Sequence, residues 1–252
     1  NAALPILAST ILSDKKIYLT NLPKVKDIET MIKLLESLGS KVKYLKNKNS
    51  ISIHNDRKIK TFVAYNLVKT MRAGILVLGP MLARFGKAKV STPGGCSIGI
   101  RPIDIHLKSL VKLGIKYKII DGYVHAYSNK KLKGTKIKFP KISVGATENL
   151  IIASSMAEGK TILSNCAIEP EIKDLTNFLK TAGAKIKWIG KRTAQIEGVK
   201  SLNSIKYSVM GDRIEAGTFC VAAALAKGDL LIKNFDSNFI KTELNLLKKI
   251  GS

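Results

Sequence analysis

The residues with the most chemical potential lie in residues 91–106, STPGGCSIGIRPIDIH. The Cys96 thiol sits among Gly94, Gly95 and Gly99, the Arg101 guanidinium follows five residues later, and Asp104 supplies an acid. Glycines let the backbone approach a ligand closely. A thiol on an accessible loop beside a cation gains thiolate character, and serves as nucleophile or proton donor according to its pKa. A guanidinium clamps a carboxylate or phosphate through two parallel hydrogen bonds. The helix expected from Asp104 and Ile105 offers its first-turn amides to an anion. The plainer alternative is a glycine-rich tight turn with Asp104 as helix N-cap.

Other candidates each carry a structural alternative. Arg72, in KTMRAG, stands at the mouth of an apolar helix, where a lone arginine is commonly a solvated or capping charge. Lys141, Ser143, Val144 and Gly145, in KISVGATEN, precede a helix and form either an anion-binding N-terminus or an ordinary serine cap. Asn1 is a cap or a ligand contact. Cys166 and Cys220 sit in apolar contexts and read as core thiols. GDRIEAGTF is a glycine-flanked helix start.

The elements that position these residues repeat along the chain. MIKLLESLGSKV, HLKSLVKLGIKY, TNFLKTAGAKIKW and ELNLLKKIGS have apolar residues at helical spacing and then Gly39, Gly114, Gly183 or Gly251, about 70 residues apart. Each glycine suits the left-handed position that ends a helix. Ahead of each comes an Ala-rich apolar helix (AALPILASTIL, MRAGILVLGPMLARFG, ATENLIIASSMAEG, RIEAGTFCVAAALAKG) running into a strand (KIYLTN, KAKVST, KTILSN, DLLIKN). A strand pair follows: KVKYLK with SISIHN, YKII with GYVHAY, KIKWIG with TAQIEG.

The unit is therefore βαβαββ, an α/β repeat with apolar helices inside and amphipathic strands outside. A helix apolar nearly all round, such as residues 216–226, is expected to be buried. Three units are expected to close into one domain over residues 1–207, and a second domain to begin in residues 208–252. By the logic of the repeat, the sequence is expected to be cut at both ends.

Composition narrows the function classes. With 252 residues and 45% hydrophobic content, the chain can bury a sizeable core. No apolar run reaches the ~18 residues that span a bilayer, and no basic-then-apolar leader is visible, so a cytoplasmic protein is expected. Three scattered cysteines and three histidines lack ligand spacing, which predicts no metal and no disulfide framework; no cofactor is expected. The net charge of +25 by itself fits a nucleic-acid partner, an anionic small substrate or a mutationally biased surface. The lysines are dispersed and are not interleaved with aromatics as stacking platforms require.

NAALPIL, the run LVKTMRAGILVLGPMLARFGKAKVSTPGGCSIGIRPIDIHL, KISVGATEN, EPEIKDLTNFLKTAGAKI and GDRIEAGTFCVAAA resemble the UDP-N-acetylglucosamine 1-carboxyvinyltransferase family of enolpyruvyl transferases. The resemblance extends along essentially the whole chain. The PGGC-x-IG-x-RP-x-D loop is its most specific part, and the sister enzymes acting on shikimate 3-phosphate look unlike it there.

The resemblance implies an inside-out α/β barrel fold of two domains with three units each. It implies transfer of the enolpyruvyl group of phosphoenolpyruvate to the sugar 3′-hydroxyl, the first committed step of peptidoglycan synthesis. It makes Cys96 the proton donor, the site of a covalent adduct and the target of fosfomycin. Arg101 then binds phosphoenolpyruvate and the nucleotide-sugar, while Pro102, Ile103, Asp104 and Ile105 line the uridine site. Lys141, Ser143, Val144 and Gly145 contact the diphosphate and uridine, Arg72 contacts the nucleotide-sugar, and Asn1 stands at the phosphoenolpyruvate site. The lysine that precedes this asparagine in the family, the aspartate general base and further phosphate-binding arginines are not in this sequence. The chain by itself is therefore expected to be inactive or nearly so. The alternative from a different class is a basic nucleic-acid-binding protein.

Overall fold

A computed structural model describes residues 1–46, 49–56, 59–69, 71–92 and 102–251. The first unit holds helix α1 (Ala3–Ser9), strand β1 (Ile17–Thr20), helix α2 (Lys26–Leu38) and strands β2 (Lys41–Tyr44) and β3 (Ile51–His54). The second holds β4 (Phe62–Val63), α3 (Tyr65–Val68), a 3-10 turn (Arg72–Val77) leading into α4 (Leu78–Phe85), β5 (Lys87–Ser91), α5 (Asp104–Lys112), β6 (Lys116–Ile120) and β7 (Tyr123–Tyr127). The third holds β8 (Lys136–Lys138), α6 (Val144–Ser154), β9 (Lys160–Ser164), α7 (Pro170–Thr181), β10 (Lys185–Gly190) and β11 (Thr193–Glu197). Then come β12 (Ile205–Ser208), α8 (Arg213–Ala226), a 3-10 turn (Ser237–Ile240) and α9 (Lys241–Lys249).

Local sequence accounts for these boundaries. Gly39, Gly114, Gly183 and Gly251 all have φ between +89° and +106° as the chain leaves α2, α5, α7 and α9. That conformation is strained for any residue with a Cβ, which explains the recurrent glycine. α7 begins with Pro170 at its first turn and carries Glu171 there and Lys180 in its last turn, each matched to the helix dipole.

The strands form three four-stranded sheets with orders β12-β1-β3-β2, β4-β5-β7-β6 and β8-β9-β11-β10. In each, the first pair is parallel and the other two are antiparallel. In the second and third sheets the strand parallel to β5 or β9 is the nearby β4 or β8, whereas in the first sheet that place falls to a strand distant in sequence. β12 takes that place, running parallel to β1 with Ile17 opposite Ile205 and Thr20 opposite Ser208. The three sheets stand as ladders around the helices, the inside-out arrangement expected from the repeat.

Helices lie inside, as the apolar segments predict. Ile6, Leu7 and Ala8 of α1, Leu78, Met81 and Leu82 of α4, and Leu150, Ile151, Ile152 and Ala153 of α6 are all buried in one core. α4 and α6 meet at Gly79, where a Cβ would stand 2.2 Å from Asn149 Oδ1 and 2.6 Å from its carbonyl oxygen. Only glycine permits that approach.

The strands' solvent faces account for much of the positive charge. Lys41 and Lys43, Lys116 and Lys118, Lys136 and Lys138, and Lys185 and Lys187 are exposed at alternate positions of β2, β6, β8 and β10. One lysine of the second sheet packs against two aromatic rings. The Lys89 ammonium lies 5.3 Å from the Phe62 ring and 5.0 Å from the Tyr123 ring.

Two further expectations are corrected. The segment DLLIKN, expected as a fourth strand, forms no strand, and Leu231 is 77% exposed there. Helix α8, expected to be buried, keeps only Ala216 inside, with Phe219, Val221 and Leu225 exposed. The reason is common to both. The helices of the three complete units are covered by a sheet and an outer helix, whereas α8 packs chiefly against α9 and the 3-10 turn before it. Among the described residues, no helix is long and apolar enough to cross a membrane.

Candidate functional site at the helix N-termini

The inner helices share a polarity that divides the molecule into two ends. At the C-terminal ends of α1, α4 and α6 lies a cleft of about 780 Å³ lined by Leu12, Arg84, Phe85, Met156, Glu158 and Lys200, among others. Helix C-termini present carbonyl oxygens and the negative end of the dipole. Arg84 already answers them, donating to the carbonyls of Ile11 at 2.8 Å, Ser13 at 3.2 Å and Asp56 at 3.1 Å. Lys130, Lys131 and Lys200 line this cleft together with Asp14 and Glu158.

The sequence candidates gather at the other end. Asn1 precedes α1, Arg72 opens the turn into α4, Asp104 opens α5, and Ser143, Val144 and Gly145 open α6. Ser143 caps α6, its Oγ accepting from the Ala146 N–H at 3.3 Å. Lys141 is exposed just ahead of it. Asp104 is the first residue of α5 and not its cap, a correction to the plain turn reading. Its carboxylate pairs with Lys108 at 3.5 Å while Oδ1 is buried with no hydrogen-bond partner among the described residues. A buried acceptor in that state is suited to a donor brought by a ligand. Pro102 is exposed, whereas the Ile103 and Ile105 side chains are buried in the core, so any ligand contact from these two comes through backbone. Cys96 and Arg101 lie outside the described residues.

A second polar group closes the same end. Asn1 Nδ2 donates to the Asp212 carboxylate at 3.2 and 3.3 Å, and Asp212 caps α8 by accepting from the Ile214 N–H at 2.8 Å. Arg213 binds Glu171 with two hydrogen bonds, Nε to Oε2 at 3.0 Å and Nη2 to Oε1 at 3.1 Å. That fork holds the Arg213 guanidinium more firmly protonated than usual. Nearby, Glu148 of α6 is buried; desolvation, reinforced by Glu171 and Glu169, raises its carboxyl pKa to about 8. Asp174, one turn beyond Glu171, accepts from Tyr207 Oη at 2.6 Å and from the Met210 N–H at 3.2 Å. α7 thereby anchors the connection between β12 and α8.

Asn149, His106, Glu148, Glu171 and Arg213 were not singled out by sequence. Each looks like an ordinary member of an amphipathic or apolar helix until the N-termini are brought together. The Cys166 thiol fits its reading as a core residue, buried and raised to about 11 by desolvation, whereas Cys220 is only half-buried on α8.

This α/β repeat, with its described ligand candidates at helix starts, is matched along its full length. The family model for EPSP synthase (3-phosphoshikimate 1-carboxyvinyltransferase) covers residues 1–252. The chain belongs to the EPSP synthase family. Within that family, it is 67% identical over 252 residues to UDP-N-acetylglucosamine 1-carboxyvinyltransferase of Pelagibacter ubique, covering all of this chain and 60% of that one. It is 50% identical over 251 residues to the protein of the same name from Lawsonia intracellularis, covering 59% of it. The chain thus spans about 60% of the length of these relatives.

Among solved structures, the enolpyruvyl transferase NikO from Streptomyces tendae superposes with a TM-score of 0.81 at 16% identity, over 99% of this chain and 60% of that one. An EPSP synthase from Acinetobacter baumannii gives 0.70 at 17% identity, over 89% of this chain and 51% of that one. These two matches establish the enolpyruvyl transferase fold. Nothing in the family or in its relatives supports the nucleic-acid-binding alternative.

Proposed function

We propose that the protein containing this chain transfers the enolpyruvyl group of phosphoenolpyruvate to the 3′-hydroxyl of UDP-N-acetylglucosamine, releasing phosphate, at the entry to peptidoglycan synthesis in the cytoplasm. The observation that carries this reading is the 67% identity to a UDP-N-acetylglucosamine 1-carboxyvinyltransferase, sustained over all 252 residues. The placing of Asn1, Arg72, Asp104 and residues 143–145 at the starts of α1, the turn into α4, α5 and α6 supports it, since both substrates are anionic.

In the proposed reaction, the sugar hydroxyl oxygen bonds to C2 of phosphoenolpyruvate, losing its proton to a base, while C3 gains a proton from the Cys96 thiol. The resulting tetrahedral adduct then loses phosphate through cleavage of the C2–O bond, and C3 gives up a proton to restore the double bond. Arg101 and Arg72 hold the anionic substrates, Asn1 touches phosphoenolpyruvate, and the uridine diphosphate lies along Pro102, Ile103, Asp104, Ile105, Lys141, Ser143, Val144 and Gly145. Residues 1–207 form the domain bearing the cysteine loop, and residues 208–252 begin a second.

The test is covalent labelling of Cys96 in the complete gene product by fosfomycin, whose epoxide opens as the C–S bond forms and the ring oxygen takes a proton. Peptide mass spectrometry is expected to find the adduct on Cys96, faster with UDP-N-acetylglucosamine present, and none in Cys96→Ser. Labelling at the same rate with and without the nucleotide-sugar, or none at Cys96, overturns the reading.

A further inference from the structure

The core polar group at the mouth of α6 is built around Asn149, and its hydrogen bonds leave little freedom. Asn149 Oδ1 accepts from the Gly79 N–H at 2.7 Å, and Nδ2 donates to the Ile75 carbonyl at 3.1 Å. An N–H can only donate and a carbonyl can only accept, so these two backbone groups fix the orientation of the amide. The second hydrogen of Nδ2 then points at His106 Nδ1, 3.2 Å away. Nδ1 must accept, which leaves the ring proton on Nε2. Protonating the ring would set two donors face to face.

Burial acts in the same direction. His106 is 2% exposed, and desolvation, helped by the nearby Arg72 charge and opposed by Asp104, lowers its pKa to about 4. The group is a neutral imidazole of one tautomer across the physiological range.

The other edge of this ring faces the candidate site. A Cβ on Gly145 would stand 3.1 Å from His106 Cε1 and 3.4 Å from Nε2, so ring and helix backbone are already in close contact. Gly145 belongs to the first turn of α6, beside Ser143 and Val144. His106 belongs to the first turn of α5, two residues after Asp104. One rigid ring therefore spaces the two helix mouths that carry the proposed uridine and diphosphate contacts, and Asn149 ties that ring to the turn that Arg72 opens.

We infer that His106 is a positioning residue for the nucleotide-sugar: its neutral ring, held by Asn149, sets the spacing between the α5 and α6 N-termini. The inference rests on the proposed enolpyruvyl transfer to UDP-N-acetylglucosamine. His106 touches neither substrate in this account and acts through Gly145.

The experiment measures UDP-N-acetylglucosamine affinity by calorimetry, and KM for phosphoenolpyruvate, in the complete gene product. In His106→Asn the new Oδ1 takes the place of Nδ1, so Asn149 keeps its acceptor while the ring edge against Gly145 is lost. We expect the Kd for UDP-N-acetylglucosamine to rise about tenfold, the size of coupling expected between directly packed groups, with KM for phosphoenolpyruvate unchanged. Gly145→Ala pushes on the ring and is expected to weaken the same ligand. Its penalty should shrink several-fold in the His106→Asn background, where the added methyl has room.

Equal weakening of both substrates, unchanged affinity in His106→Asn, or strictly additive effects of the two substitutions overturns the inference. Should His106→Asn fail to fold, Gly145→Ala with an ¹⁵N spectrum of the imidazole keeps the question open to refutation. A protonated ring or an Nδ1–H tautomer at neutral pH then contradicts the inference. Failure of the wild-type protein to bind UDP-N-acetylglucosamine at all is a different result, and it sinks the functional reading beneath.

Discussion

Replacing Asn149 with leucine tests how much the polar hub beneath the site contributes to the fold. Leucine has the same branched heavy-atom skeleton, so no cavity opens, and its bulkier methyls add crowding against Gly79. What changes is hydrogen bonding. The Gly79 N–H, the Ile75 carbonyl and His106 Nδ1 all lose their partner in a place where Asn149 and His106 are buried from water. A buried polar group left unpaired costs about 1–3 kcal/mol. Three such groups, partly relieved by local shifts, should cost about 3–6 kcal/mol, a large part of the ~5–15 kcal/mol that holds a domain together.

Urea denaturation followed by the fluorescence of Trp188, on β10 and away from the substitution, reads this directly. With a slope of about 2 kcal/mol per molar, the midpoint should fall by about 1.5–3 M. Ser143→Ala, which removes one 3.3 Å cap bond, is the internal scale and should cost about 1 kcal/mol. If Asn149→Leu cost no more than Ser143→Ala, the hub would not be the fixed element described here.

Two buried groups give stability an unusual pH profile. His106, lowered to about 4 from 6.5, stabilises fully above pH 6.5, and its contribution is lost as pH falls toward 4. Glu148, raised to about 8 from 4.5, stabilises in its protonated form, and its contribution is lost as pH rises from 4.5 through 8. The slopes oppose each other between 4.5 and 6.5, so thermal melts should show little change there and a decline toward pH 8. Glu148→Gln should abolish that decline and match wild type near pH 4.5; an unchanged decline would remove Glu148 as its cause. Arg213→Leu strips the partner from a largely buried Glu171 and should cost about 3–5 kcal/mol. The double change Glu171→Leu with Arg213→Leu should recover much of it, and a double variant as unstable as the single would contradict the ion-pair account. The 252-residue chain by itself is expected to bind UDP-N-acetylglucosamine weakly and to turn over neither substrate. Ordinary turnover rates in a phosphate-release assay would refute that.

The repeat was legible because helix termination demands a left-handed residue and sheet faces demand alternation. Gly39, Gly114, Gly183 and Gly251, and the paired strands from KVKYLK to TAQIEG, expose both requirements directly. The closing role of β12 was not legible, since IKYS pairs with a strand nearly two hundred residues earlier and nothing local marks that partner. Burial of α8 was misread for a related reason. Apolar composition states what a helix is able to bury, and only the neighbouring elements decide whether it does. Within the site, motif residues stood out by type, but Asn149 and His106 take their importance from bonds between helices some 40 residues apart or more. No pattern within either helix reveals such a bond.

The most direct test of the central claim is the choice of acceptor by the complete gene product, because the matching family model bears the name of the shikimate enzyme while the relatives act, by their names, on UDP-N-acetylglucosamine. Phosphoenolpyruvate is offered with UDP-N-acetylglucosamine or with shikimate 3-phosphate, and phosphate and enolpyruvyl product are measured together. The account predicts equimolar phosphate and enolpyruvyl-UDP-N-acetylglucosamine, loss of both in Cys96→Ala, and no product from shikimate 3-phosphate. Product from shikimate 3-phosphate and none from the nucleotide-sugar would contradict it.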